Sequence, residues 1–162
     1  MEDFSIDGFD RKILALLQRD ATLSLAEIAE RVGLSSTPCW RRIQKLEQAG
    51  VIRRRVALLE PQALGLGLTA FVSIRTGQHE PAWLERFMQA AMAMPEVVEI
   101  DRLAGSWDYQ LRVVVPDIAA YDAFYKRLIA IGGLSDVQSA FSMEQIKYTT
   151  ELPLPVSGTA GA

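Results

Sequence analysis

Apolar residues in the first third of the chain recur at helical spacing. Phe9, Ile13, Leu16 and Leu17 share one face of a helix predicted over about Asp7 to Gln18, with Asp7 as its N-cap. After the polar stretch "ATLS", Leu25, Ile28, Ala29 and Val32 repeat at i, i+3, i+4 and i+7. Ser24 and Glu27 stand at the front of that run and predict a capping box. Gly33 ends it, at the position where a left-handed backbone strains glycine least. A third helix starts at Ser35 or Ser36, with Pro38 in its first turn, where a missing N–H is no loss. Cys39, Ile43 and Leu46 form its apolar stripe, and Gly50 closes it. "VIRRRVALL" then alternates and is β-branched at its start, which predicts a strand or short hairpin.

Residues 61–67, "PQALGLG", hold a proline, two glycines and no charge, and read as a hinge. Beyond them the period changes. Leu68 to Arg75 reads as a strand, and Pro81 to Ala93 as a helix whose Trp83, Leu84, Phe87, Met88 and Ala91 face a core. Val97 to Leu103 is a strand, "AGSWD" a turn, and Tyr109 to Val115 a strongly apolar strand. Asp117 caps a helix over Ile118 to Ile131, and Val137 to Tyr148 is a final strand. The order β-α-β-β-α-β predicts a ferredoxin-like unit, a four-stranded antiparallel sheet with helices on one face. Such a sheet leaves its other face needing cover, which suggests a dimer. The tail over 153–162 is small-residue-rich and is expected to be flexible.

Charge sharpens this picture. The 162 residues carry a formal net charge of −3, yet Gly33 to Arg55 holds six Lys/Arg against one Asp/Glu. Residues 1–60 hold ten basic and nine acidic residues, while residues 61–162 hold seven and eleven. A local basic patch in an acidic protein is an electrostatic footprint for a polyanion. Two helices joined at "RVGLSS", with small Ala29 and turn-forming Gly33, match a helix-turn-helix. The third helix would then enter the major groove. Thr37, Arg41, Gln44, Lys45 and Gln48 point away from its apolar stripe and Arg42 lies on its shoulder. Arg41 suits guanine acceptors and Gln44 suits adenine. Ser35, Ser36 and the helix N-terminus suit phosphate. Arg53, Arg54 and Arg55 would act as a wing along the backbone, adding mainly nonspecific, salt-sensitive affinity. Trp40 is read as a packed shoulder residue, and His79 as plain loop surface.

Cys39 is the sole cysteine and His79 the sole histidine, so an intrachain disulfide and a Cys/His zinc site within one chain are excluded. Cys39 lies on the apolar stripe and reads as a buried structural residue. The acidic start "MEDFSIDGFD" does not read as a signal or transit peptide. No apolar run approaches the roughly 20 residues of a membrane span. A cytoplasmic protein without membrane contact is therefore expected. No nucleophile–base pair and no phosphate-cradling glycine loop is visible, which argues against an enzyme.

Several stretches resemble the Lrp/AsnC family of bacterial feast/famine regulators: "LSSTPCWRRIQKLEQAGVI", "ALLEPQALGLGLTAFV", "GSWDYQLRVVVPDIAAYDAFY" and "SAFSMEQIKYTTELPL". The resemblance spans about Ile6 to Leu154, and "TPCW" and "MEQIKYTT" are most similar to a cysteine-responsive type within the family. It implies an α+β protein with an N-terminal winged helix-turn-helix over 1–60 that binds double-stranded DNA. It implies a C-terminal ferredoxin-like βαββαβ domain over 68–152 for effector binding and oligomerisation. It also implies dimers formed through the sheet that assemble further, often into octamers. The implied effector is a small amino acid held between C-terminal domains, with L-cysteine the candidate that the subgroup likeness implies; no other cofactor and no metal is expected. A "G-x-aromatic-D-Y" loop takes part in the family, here Gly105, Ser106, Trp107, Asp108 and Tyr109. Backbone N–H groups at the glycine turn suit an α-carboxylate, and Asp108 suits an α-ammonium. Gln138, Ser139 and Ala140 on the last strand would complete the pocket. The rivals are an effector-independent architectural DNA binder and a dimeric α+β barrel enzyme.

Overall fold

The computed structural model describes residues 5–78 and 80–154; the surface reading of His79 and most of the expected tail lie outside them. The described residues form two compact units.

The first unit is helical. Helix α1 spans Gly8–Leu17, α2 Leu25–Val32 and α3 Ser36–Gln48. Local chemistry sets each start. The Asp7 carboxylate accepts from the N–H groups of Phe9 (2.8 Å) and Asp10 (3.0 Å), and the Asp10 carboxylate answers from the Asp7 N–H. Ser24 and Glu27 form the same reciprocal box at α2. Gly33 stops α2 at φ 77°, a conformation in which any Cβ is strained. Ile13, Ile28, Ala29, Val32, Cys39, Ile43 and Leu46 form the core of this unit, and all are at least 95% buried. Burial raises the pKa of the Cys39 thiol, so the sulfur is an inert packing atom here.

One expectation about this unit changes. Residues 53–60 carry no strand. Among its described residues the unit has no other strand to pair with their N–H and C=O groups, and Val56, Leu58 and Leu59 are all exposed. Residues 147–154 pack with this unit. The Gln18 amide exchanges two hydrogen bonds with the backbone of Leu152, and Arg19 pairs with Glu151 at 2.9 Å.

The second unit begins with a 3-10 turn over Gln62–Leu64, inside the segment expected as a hinge. Strands β1 (Leu68–Thr76), β2 (Val97–Arg102), β3 (Tyr109–Val115) and β4 (Leu134–Phe141) form one antiparallel sheet in the order β2-β3-β1-β4. Helices α4 (Pro81–Met92) and α5 (Ile118–Ile129) cover one face. Alternation along β1 turns Ala70, Val72 and Ile74 toward Phe87, Phe124 and Leu128, all fully buried. Phe71, Ser73 and Arg75 take the opposite face. The Trp83 indole donates to Gly132 O at 3.0 Å, and Gly133, at φ 75°, lies so close that a Cβ would meet the indole nitrogen at 2.2 Å. The last strand starts three residues earlier than expected and ends at Phe141, opposite Ala70.

Candidate DNA-binding face and effector loop

On α3 the buried stripe points Ser36, Thr37, Arg41, Lys45 and Gln48 into solvent. Ser35 is the N-cap but makes no capping bond through its side chain. The first-turn N–H groups of this helix therefore lack that cap, and Ser35, Ser36 and Thr37 are exposed beside them. Arg53 and Arg54 follow, also exposed. Together these groups form a cationic edge with a helix N-terminus at one end, the chemistry that phosphate requires.

Arg42, Gln44 and Arg55, all in the expected DNA set, make identifiable bonds within the protein. Arg42 turns back to α1, where one Nη donates to Asp7 at 2.6 Å and Asp10 at 2.8 Å, and its guanidinium lies 5.3 Å from the Phe9 ring centre. Asp10 is only 7% exposed, so this cation supports the three-helix packing instead of facing a ligand. The bond from the Asp10 N–H holds the Asp7 carboxyl below its ordinary pKa, against the opposing effect of burial and with further help from Arg42. Gln44 donates to Glu47 at 3.0 Å, and Arg55 meets the other oxygen of the same carboxylate at 3.0 Å. Glu47 thus joins the recognition helix to the segment after it. Trp40, expected as a packed shoulder, is half-exposed at the rim of an open groove of about 590 Å³ floored by Leu23, Ile28 and Ile52.

The loop between β2 and β3 is closed by bonds to the end of β1. The Leu103 N–H donates to Asp108 O at 2.8 Å, and the Asp108 N–H donates to Ile74 O at 2.9 Å. The Asp108 carboxylate accepts the Thr76 N–H at 2.8 Å. Arg75 Nε donates to Ser106 O at 2.9 Å, and its guanidinium lies 4.9 Å from the Trp107 ring centre. Gly105 and Ser106 are exposed, Trp107 and Asp108 half-buried, and Tyr109 buried against Phe87. Asp108 therefore spends one oxygen on the fold, where pairing with an α-ammonium was expected.

The residues expected from the last strand separate. Gln138 and Ala140 lie on the open face, opposite Ser73 and Phe71. Ser139 points the other way and shares a short hydrogen bond with the Tyr121 hydroxyl under α5, so it serves the core side of the sheet. Ala140 pairs four residues along β1 from Arg75, roughly 13 Å at strand rise. Gln138 pairs two residues along β1 from Arg75, so within one subunit the loop and the outward side chains of this strand are spread along the sheet face. Sequence reasoning missed Arg75 and Thr76 altogether. Their signal is only that alternation in "FVSIR" puts Arg75 on the face opposite Ile74.

Residues 6–53 match the family model described as winged helix-turn-helix DNA-binding, and residues 69–152 match the Lrp/AsnC ligand binding domain. The chain belongs to the Lrp/AsnC family. It is similar to the DNA-binding transcriptional activator DecR of Escherichia coli K12, 55% identical over 92% of this chain and 99% of that one. It is also similar to the glutamate uptake regulatory protein of Zymomonas mobilis, 52% identical over 93% and 92% of the two chains. Among solved structures, an AsnC family regulator from Agrobacterium tumefaciens is 64% identical, with a TM-score of 0.87 over 91% of this chain and 96% of that one. A Neisseria meningitidis transcriptional regulator solved with L-Met is 38% identical, with a TM-score of 0.87 over 92% and 97%. This Lrp/AsnC protein is a DNA-binding transcription regulator with an amino-acid-binding domain, not an enzyme. Among its described residues no helix is long and apolar enough to cross a membrane.

Proposed function

We propose that this regulator is a cytoplasmic homo-oligomer that binds operator DNA through α3 and releases or rearranges that DNA when a small amino acid occupies its sheet domain. Arg41 and Lys45 read base edges, with Thr37 and Gln44 beside them. Ser35, Ser36, Arg53, Arg54 and Arg55 follow the phosphates. Arg42 is left out of this set because α1 holds it. The observation that carries the reading is the outward cationic side of α3, set opposite a buried Cys39–Ile43–Leu46 stripe.

The effector site is the loop Gly105 to Tyr109, completed by Gln138 and Ala140 from another subunit. The separation of these groups within one chain supports that division. So does the uncovered sheet face, where Phe71 is 41% exposed. A dimer through that face is the assembly unit, and octamers are its further assembly. L-Cysteine and L-methionine are the first effectors to try. The test is a titration onto the DNA upstream of its own gene at fixed salt, without ligand and with each amino acid. A change in affinity or complex size with one or a few amino acids supports the reading. Specific binding that no amino acid alters would remove the effector half, and binding without sequence preference would make the protein an architectural DNA binder.

A further inference from the structure

We propose that Arg75 is the positioning residue of the effector loop, fixing its shape before any ligand arrives. The inference rests on the reading of Gly105 to Tyr109 as the effector site and adds what holds that site in place.

Four contacts tie this loop to the last three residues of β1. Two are backbone to backbone or backbone to carboxylate: the Asp108 N–H on Ile74 O, and the Thr76 N–H on Asp108. They fix the loop where it rejoins the sheet. Only Arg75 reaches the tip. Its Nε–H holds Ser106 O, and its guanidinium lies over the Trp107 ring. A guanidinium suits this double task because it is planar and its Nε–H lies in the plane, so one orientation satisfies both contacts. Lysine has neither property.

The base of the clamp is itself rigid. The Thr76 hydroxyl donates to Gly133 O at 2.9 Å and accepts the Gln78 N–H at 2.9 Å. Thr76 is 7% exposed, and the register with β4 shifts between it and Arg75. One strand end therefore anchors both the loop before β3 and the turn before β4. Within one subunit Arg75 remains exposed, so its bonds to the loop contribute little to the stability of the subunit itself. Their effect falls on the loop, as preorganisation: a tip already ordered loses less entropy when it closes on an amino acid.

The experiment uses the full-length protein with Arg75→Met and Arg75→Lys. DNA release is titrated with L-methionine and with L-cysteine, and backbone hydrogen exchange over residues 103–108 is measured without ligand. Arg75→Met is expected to raise the half-effective concentration by about tenfold or more, the cost of ordering one or two side chains. Arg75→Lys should recover only part of it. Apo DNA affinity should stay at the wild-type value, and exchange in the loop should quicken while α5 keeps its protection. An unchanged loop exchange in Arg75→Met overturns the proposal, whatever the effector does. So does a faster loop with an unchanged dose response. A wild-type protein that responds to neither amino acid, with a loop that quickens in Arg75→Met, overturns the assignment of the loop to the effector while the clamp stands.

Discussion

The helical unit and the sheet unit both present arginines at their surfaces, and they use them in opposite ways. On α3, Arg41 stands exposed while the next residue, Arg42, is drawn back onto two carboxylates of α1. On β1, Arg75 is exposed too, yet it is bonded to a loop carbonyl and lies over an indole. Exposure therefore does not say what a surface cation does. Its bonds do. Where acceptors of the same unit lie within reach, the guanidinium becomes a fastening; where none does, its donors stay available to a polyanion.

The sharpest way to break this contrast is to release Arg42. Asp10→Ala removes a carboxylate that serves both Arg42 and the capping box of α1. It leaves a guanidinium without its less exposed partner. A fully buried pair broken this way costs about 3–5 kcal/mol. With the Arg42 side chain 30% exposed, the expected loss is smaller, roughly 2–3 kcal/mol after solvent screening. Unfolding followed by far-UV circular dichroism should show the helical unit melting earlier. An unchanged midpoint would mean that Arg42 is surface decoration.

The complementary change is Arg41→Ala, one residue away on the same helix. If Arg41 grips guanine with both its donors, specific binding weakens by roughly 1–3 kcal/mol and discrimination at one base position relaxes. Stability should not move. Arg41→Ala and Asp10→Ala thus exchange their effects between binding and folding. A shared phenotype would erase the distinction between the two neighbours.

How much of this was legible beforehand follows from the range of the interactions. Ser24 with Glu27, Asp7 with its helix, Gly33 and Asp117 all act within a few residues, and spacing alone announces them. The β-α-β-β-α-β order was legible for the same reason, since each period is local. Arg42 on Asp10 spans 32 positions and Arg75 on Ser106 spans 31, and no local pattern points to either. Ser139 stands apart from Gln138 and Ala140 because successive side chains of a strand take opposite faces, a consequence of the strand itself that needs no long-range contact. "VIRRRVALL" looked like a strand by composition, but a strand needs a partner.

A milder probe asks whether the helical unit also depends on its local caps. Ser24→Ala removes one side of the α2 capping box and should cost about 1 kcal/mol. The same box gives a pH dependence. The Ser24 hydroxyl and N–H hold the Glu27 pKa below its ordinary value, and Asp7 is lowered likewise. Both are more acidic folded than unfolded. Their contribution is complete at neutral pH and is lost as pH falls through about 4 and below. Ser24→Ala should flatten the Glu27 share of that acid-side slope, read as Tm against pH.

The smallest expected effect distinguishes two kinds of exposed arginine after α3. Arg55 is tied to Glu47, while Arg54 lies beside it and is exposed. If Arg54 neutralises a phosphate, Arg54→Ala lowers affinity for every sequence by a similar factor and reduces the slope of log K against log salt by about 1. Arg55→Ala should change that slope less, because the cation it removes is already partly neutralised by Glu47. Glu47→Gln then becomes the decisive third member. It frees Arg55 and removes a negative charge from the face, so the slope should steepen toward an additional phosphate contact. Equal slopes in all three variants would place this arginine run away from the DNA, and α3 alone would carry the interface.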